Sequence, residues 1–204
     1  DELCQLRASG HRCILFGRPS GREACSFFDT DNAAGAAMAV NQLAGCGWSH
    51  IAYCDQHDQQ WYHQDRRRGW RRALKERGLP HDDTLLINTA ANFSEAHQAV
   101  LQHLSAHPEI DAILIQGGAH TAATLYALRD LGRKPGIDIG IIMYDDDPDM
   151  AAQQRPALSA IAQRFDETAA EAAAMLLDDL AADAPPIRER IVQPSLVIRG
   201  SCGG

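Results

Sequence analysis

The stretch that most constrains the chain is Pro135-Gly136-Ile137-Asp138-Ile139-Gly140-Ile141-Ile142-Met143-Tyr144-Asp145-Asp146. A Pro-Gly turn signal launches an apolar run that stops abruptly at Asp145, Asp146 and Asp147, ahead of Pro148. A short apolar run between turn residues, rich in β-branched side chains, predicts a strand over 137–144 buried on both faces. Such strands belong to parallel sheets covered by helices. Sheets of that kind bind ligands outside the carboxyl ends of their strands. The carboxylates that close this run therefore mark the working end of the molecule.

The rest of the chain alternates in the same manner. Strands are expected over 11–17, 25–28, 50–54, 85–88 and 111–116, with a short extended piece at 158–162. Helices are expected over 33–46, 65–77, 94–106, 119–131 and 166–180. Residues 1–10 read as a helix end closing on Gly10. Thr30, Asp31 and Asn32 offer capping side chains for the first full helix, and Ser94 offers one for a later helix. A polar loop is expected over 55–64. Helix 166–180 presents Ala170, Ala173, Leu176, Leu177 and Leu180 as its buried face. Pro185-Pro186 breaks that helix, and strand-like runs flank Pro194. Strand–helix alternation predicts an α/β fold of parallel sheets with helices on both faces.

At 204 residues the chain has room for one large α/β domain or two small lobes. No apolar run approaches the ~20 residues that span a bilayer, so no membrane partner is expected. The chain opens on Asp1-Glu2-Leu3, without Met and without a basic-then-apolar leader, and reads as cut at its start. Its 6 cysteines include no C-x-x-C pair, and their spacing suits neither a zinc site nor a disulfide framework. Apolar neighbours around Cys13 and Cys54 suggest buried reduced thiols and a cytoplasmic setting. A formal charge of −8 argues against nucleic-acid coating by these residues alone.

Three constellations bear on chemistry. Asp145, Asp146, Asp147 and Asp149 suit hydroxyl recognition by an acceptor-only carboxylate, a magnesium or calcium site, or a plain polar loop. On the basic helix, Arg67, Arg68, Arg71, Arg72 and Lys75 lie mostly on solvated faces. Arg66, at the helix start beside Trp70, is placed to point into a cleft and clamp an oxygen-rich ligand. Gly117-Gly118 ends a strand before a helix, where backbone amides approach a ligand or simply make a tight turn. The 9 histidines are not spaced on shared helical faces, His57 with His63 and His97 with His103 included. There is no G-x-S-x-G elbow and no acid–base pair. No catalytic apparatus, metal site or cofactor is expected.

Taken in order, the motifs resemble the effector-binding domain of the LacI/GalR family of bacterial transcriptional repressors. Asp31-Asn32-Ala33-Ala34-Gly35 with Leu43, Gly47 and Ile51-Ala52 is similar to the family's D-N-x-x-G…L…G-H-x-x-I-A. Arg66-x-x-Gly69-Trp70 resembles R-x-x-G-[FW], and Tyr144-Asp145-Asp146 resembles [FY]-D-D. Pro156 through Ile161 resembles P-P-L-T-T-I, and Pro194 through Ser201 the closing P-x-L-V-x-R-x-S. The resemblance covers nearly the whole chain.

It implies a two-lobed periplasmic-binding-protein-like fold with the ligand between the lobes. Residues 1–47, helped by 163–192, would form an incomplete N-terminal lobe. Residues 48–162, completed by 193–204, would form the C-terminal lobe. Crossovers would fall near 47–49, 160–163 and Gln193. The implied ligand contacts are Arg66, Asp145 and Phe93, with Gln163 and Phe165 near the second crossover. Gly117 and Gly118 stand where the family usually has Asn-Asp, and Trp48 where it usually has His. The implied effector is a sugar or related polar metabolite. Operator DNA would be bound by a helix-turn-helix headpiece missing from these residues, in a homodimer. The rival reading is a periplasmic sugar-binding protein of a transporter, and a third is a metal-dependent enzyme using Asp145 to Asp149. The closing motif, the unpaired cysteines and the absence of a leader favour the repressor.

Overall fold

A computed structural model describes residues 5–6, 9–19, 25–56, 60–90, 92–181 and 187–203. In chain order the elements are β1 (Ile14–Phe16), β2 (Ser26–Thr30), α1 (Asn32–Gly45), β3 (Ile51–Gln56), α2 (Trp61–Glu76), β4 (Leu86–Thr89), α3 (Phe93–Ala106) and β5 (Ala112–Ile115). They continue with α4 (Ala119–Asp130), β6 (Gly140–Tyr144), α5 (Pro148–Gln153), β7 (Ser159–Ala162), α6 (Phe165–Ala181), β8 (Glu189–Val192) and β9 (Ser195–Val197).

The strands form two sheets. One has 3 strands in the order β1-β2-β8, all parallel. The other has 6 strands in the order β4-β3-β5-β6-β7-β9, parallel except where β9 runs against β7. Every residue of β5 and β6 is buried, which explains why both read as unbroken apolar runs. The helix pairs α1–α2 and α3–α4 cover this sheet. Its strands and helices share one continuous core. The smaller sheet meets α6 through a much smaller cluster of Phe28, Ala172 and Met175.

Several expectations are corrected. Residues 32–47 were assigned to the N-terminal lobe, but Ala36, Ala39, Val40 and Leu43 of α1 lie in the core of the larger sheet. The chain therefore leaves the smaller sheet at Thr30. Trp48, expected at a crossover, donates from Nε1 to Cys202 O at 2.7 Å and packs over Gly140, within the larger body. The strand expected over 137–144 starts only at Gly140. Gly136 N donates to Ile139 O at 2.8 Å and Asp138 N to Lys134 O at 2.9 Å, so 136–139 is a turn with Ile137 exposed. Helix α2 begins at Trp61, inside the expected loop, and buries His63 on its first turn. Asn92 rather than Ser94 caps α3, accepting from Glu95 N at 2.9 Å. The buried face of α6 is Thr168, Ala172, Met175 and Asp179, not the expected alanine–leucine stripe. A polar residue is tolerated on that face because Arg188 pairs with Asp179. Residues 1–4, His57 and Pro185-Pro186 lie outside the described residues.

Candidate ligand-binding site

The site begins where β2 hands over to α1. Asp31 caps the helix, its Oδ1 accepting from Ala34 N at 2.9 Å. Asn32 is buried, and its Nδ2 donates to Thr30 O at 3.0 Å. One turn on, Gly35 leaves room for Tyr144, which ends β6. A Cβ at Gly35 would collide with the Tyr144 hydroxyl, which instead donates to Asn32 O at 2.7 Å. Burial raises the pKa of that hydroxyl, so it stays protonated and acts as a donor.

Helix α2 brings Arg66 to the same place. It can pack this close to α1 because Gly69 faces the Ala33 carbonyl with no Cβ between. The Arg66 side chain is 4% exposed. Its Nε donates to Asn32 Oδ1 at 2.8 Å and its Nη1 to Gln116 O at 3.0 Å, and its guanidinium carbon lies 3.5 Å from the Tyr144 ring centroid. Two of its three nitrogens are thus committed to the protein. The third, Nη2, lies 3.7 Å from Asp145 Oδ1.

Asp145 is the first residue past β6. Its φ of 64° is left-handed, a conformation that Asp tolerates better than most residues. The side chain is 45% exposed, so this carboxylate faces the cleft. Gln163, just past β7, donates to Asp145 and accepts from the Thr30 hydroxyl at 2.9 Å. One amide therefore ties the end of β6 in the larger sheet to the end of β2 in the smaller. A second tie is Arg18, whose guanidinium lies 3.7 Å from Asp29 on β2 and 3.6 Å from Asp65 on α2. Burial raises the pKa of Asp29, against the opposing pull of Thr30 N–H and Arg18.

Together these groups enclose a cleft of about 280 Å³ between the two sheets. Polar edges come from Asp29, Thr30, Asn32, Arg66, Asp145 and Gln163. Aromatic walls come from Phe16, Phe28, Tyr62 and Phe165. Of the residues singled out in the sequence, Arg66, Asp145, Gln163 and Phe165 meet here. Gly117 lies beside Tyr144 O and Asp145 at the margin. Gly118 precedes α4 as its N-cap, and Phe93 stacks on His97 and meets the Tyr126 ring edge-to-face, away from the residues that line the cleft. Thr30 and Asn32 read from the sequence only as capping candidates and Tyr144 only as a strand residue, although Asn32 sits inside the D-N-x-x-G motif and Tyr144 inside the Y-D-D motif.

The other acidic residues do not gather. Asp146 pairs with Arg199 at 2.8 and 3.0 Å, and Asp147 Oδ1 caps α5 through Met150 N at 3.1 Å. Among the described residues, no group of three or more His, Cys, Asp or Glu is placed to hold a metal ion. Arg67, Arg68 and Arg71 turn away from the cleft and meet Asp55, Asp65 and Asp83.

A family description for the periplasmic binding protein-like domain matches residues 40–202. The chain belongs to that family. Transcriptional regulators of the LacI type are among the proteins it resembles. The HTH-type transcriptional regulator CelR of Thermobifida fusca is 26% identical over 198 residues, 96% of this chain and 58% of its own length. RafR of Escherichia coli is 29% identical over 147 residues, 72% of this chain and 43% of its own. The chain thus spans about half the length of these regulators. A solved CelR–cellobiose complex superposes with a TM-score of 0.86 at 26% identity, over 96% of this chain and 60% of that one. A LacI-family regulatory protein from Chloroflexus aggregans superposes at 0.87 and 25% identity, over 98% of this chain and 71% of that one. Among the described residues, no helix is long and apolar enough to cross a membrane.

Proposed function

We propose that the cleft binds a small polyhydroxylated effector, a sugar or related polar metabolite, and that occupancy shifts the two sheets between open and closed arrangements. The observation that carries this reading is Asp145. Arg66 and Gln163 hold it, yet it is half-exposed to a cleft with aromatic walls. An acceptor-only carboxylate takes hydrogen bonds from vicinal hydroxyls, while aromatic faces cover the C–H faces of a ring. Arg66 Nη2 adds a donor at the same edge. Support also comes from relatives, one solved with cellobiose and one from Enterococcus faecium with bound ribose.

In this reading the smaller sheet is the N-terminal lobe and the larger sheet the C-terminal lobe. The chain crosses between them at Asp31, at Gln163-Arg164 and at Gln193. An effector works only through its difference in affinity for the two arrangements. The whole protein is a cytoplasmic, homodimeric repressor that passes this difference to an operator-binding helix-turn-helix headpiece.

The test is a thermal-shift screen against pentoses, hexoses, disaccharides including cellobiose, and nucleosides. A ligand that binds only the folded state raises the melting temperature with concentration. We expect one chemical class to do so, and Asp145→Asn to abolish the rise. A rise that survives both Asp145→Asn and Arg66→Ala would sink the site.

A further inference from the structure

The cysteines offer a feature that neither the cleft nor the family uses. Cys13 immediately precedes β1 and Cys25 immediately precedes β2. The two strands pair in parallel with Ile14 opposite Ser26, which sets Cys13 and Cys25 side by side at the next position of the register. Their sulfurs are 3.4 Å apart, both as thiols. Neighbouring strands run about 4.8 Å apart, inside the Cα separation that a disulfide accepts. Bridging the pair therefore needs side-chain rotation rather than backbone movement. Cys25 is 2% exposed, whereas Cys13 is only half-buried and is the more accessible of the two.

We propose that Cys13 and Cys25 are a modification site, a thiol pair that a small-molecule disulfide converts to a reversible cross-link stapling β1 to β2. Cys13, as its thiolate, attacks one sulfur of the small disulfide. That S–S bond breaks, a mixed disulfide forms on Cys13, and one small thiolate leaves. Cys25, as its thiolate, then attacks the Cys13 sulfur, forming the Cys13–Cys25 bond and expelling the second small thiolate. The two protons lost by the cysteines end on the two released thiols. Two protein thiols are oxidised and one small disulfide is reduced, with no other reactant. The thiolate is the attacking form, so access and environment select the pair.

Among the other described thiols, Cys46 and Cys202 also approach each other, one half-buried and one buried as in the first pair. Burial and then the neighbouring Cys202 raise the Cys46 thiol. Cys54 is fully buried, and burial pushes its thiol up to about 12.

The staple matters because, among the described residues, β1 is joined to β2 over three residue pairs, Ile14 to Phe16. Both strands end at the cleft, through Phe16 and through Phe28 to Thr30. A bridge across a short loop restricts the unfolded chain and holds the edge in place. This inference does not depend on which effector is bound.

The experiment incubates the protein with oxidised glutathione, alkylates the remaining thiols and maps peptides by mass spectrometry. We expect a cross-linked peptide pair joining Cys13 to Cys25. Slower hydrogen exchange in β1 and β2, by at least about tenfold, should accompany it and be reversed by dithiothreitol. Cys13→Ser should remove both the cross-link and the added protection, and Cys46→Ser should leave both. The proposal is overturned if Cys13 and Cys25 both remain alkylatable, if each carries only a glutathione adduct, or if the cross-link joins Cys46 to Cys202.

Discussion

The two sheets obey the same parallel-strand rule but are covered very differently. In the larger, β5 and β6 bury every side chain between helix pairs, and Trp70, Tyr53 and Leu114 are fully enclosed. In the smaller, Phe28, Ala172 and Met175 make up the buried cluster, while Phe16, Leu177, Leu180 and Ile191 stay exposed. Burial stabilises by about 25 cal/mol per Å² of apolar surface, so among the described residues the larger sheet holds most of the stability. In a protein of these 204 residues the smaller one should open at lower free energy, as thinly packed units do. The cleft straddles this boundary. Arg66, Tyr144 and Asp145 sit on the stable side, and Phe16, Phe28 and Thr30 on the loose side. A ligand that bridges both would order the loose side against a fixed one.

Substitutions can break or sharpen this contrast. Trp70→Ala should cost about 3–5 kcal/mol in chemical denaturation, because it opens a cavity in the large core and removes the Nε1 donor to Ile51 O. Phe28→Ala should lower the opening free energy of β2 by about 3 kcal/mol, yet leave the main transition almost unmoved. If both variants shift the main transition alike, the two sheets unfold as one unit and the contrast fails. A smaller effect concerns pH. His120, buried in the larger body with Nδ1 3.0 Å from the Thr89 hydroxyl, has its pKa lowered by burial and by His63. The unfolded histidine, at its ordinary 6.5, takes its proton first as pH falls. His120 therefore contributes stability above pH 6.5 that is lost as pH falls towards its lower folded value. His120→Asn should flatten the pH dependence of the main transition in that window. At the bottom of the scale, Leu177→Ser, at a position 67% exposed, should change stability by no more than about 0.5 kcal/mol.

The sequence was most legible where the packing is densest. Parallel strands buried on both faces announce themselves as apolar runs, and glycines 35 and 69 in their motifs mark places where backbone or ring must come close. Arg66 and Asp145 each open a run of like charge, and position singled them out, Arg66 beside Trp70 and Asp145 directly after an apolar run; both line the cleft. The smaller sheet was harder to read. Alanine-rich α6 suggests several faces at once, and the buried one includes Asp179, drawn inward by Arg188 from the segment beyond the helix. The crossover that the resemblance put near 47–49 falls earlier, because the boundary is decided by which core the helix fills, and α1 fills that of the larger sheet. Phe93, which the resemblance put at the ligand, packs with His97 and Tyr126, because an aromatic at a helix start suits a ligand wall and a surface ring cluster alike.

The most direct test is hydrogen exchange followed by mass spectrometry, with and without the sugar that emerges from the thermal-shift screen. The account predicts slow exchange in β5 and β6 and fast exchange in β1, β2 and β8 without ligand. On binding, β2 and the residues around Asp145 and Gln163 should slow at least about tenfold, with β5 unchanged. Equal protection of the two sheets without ligand, or ligand-induced protection that falls away from the cleft, would contradict it.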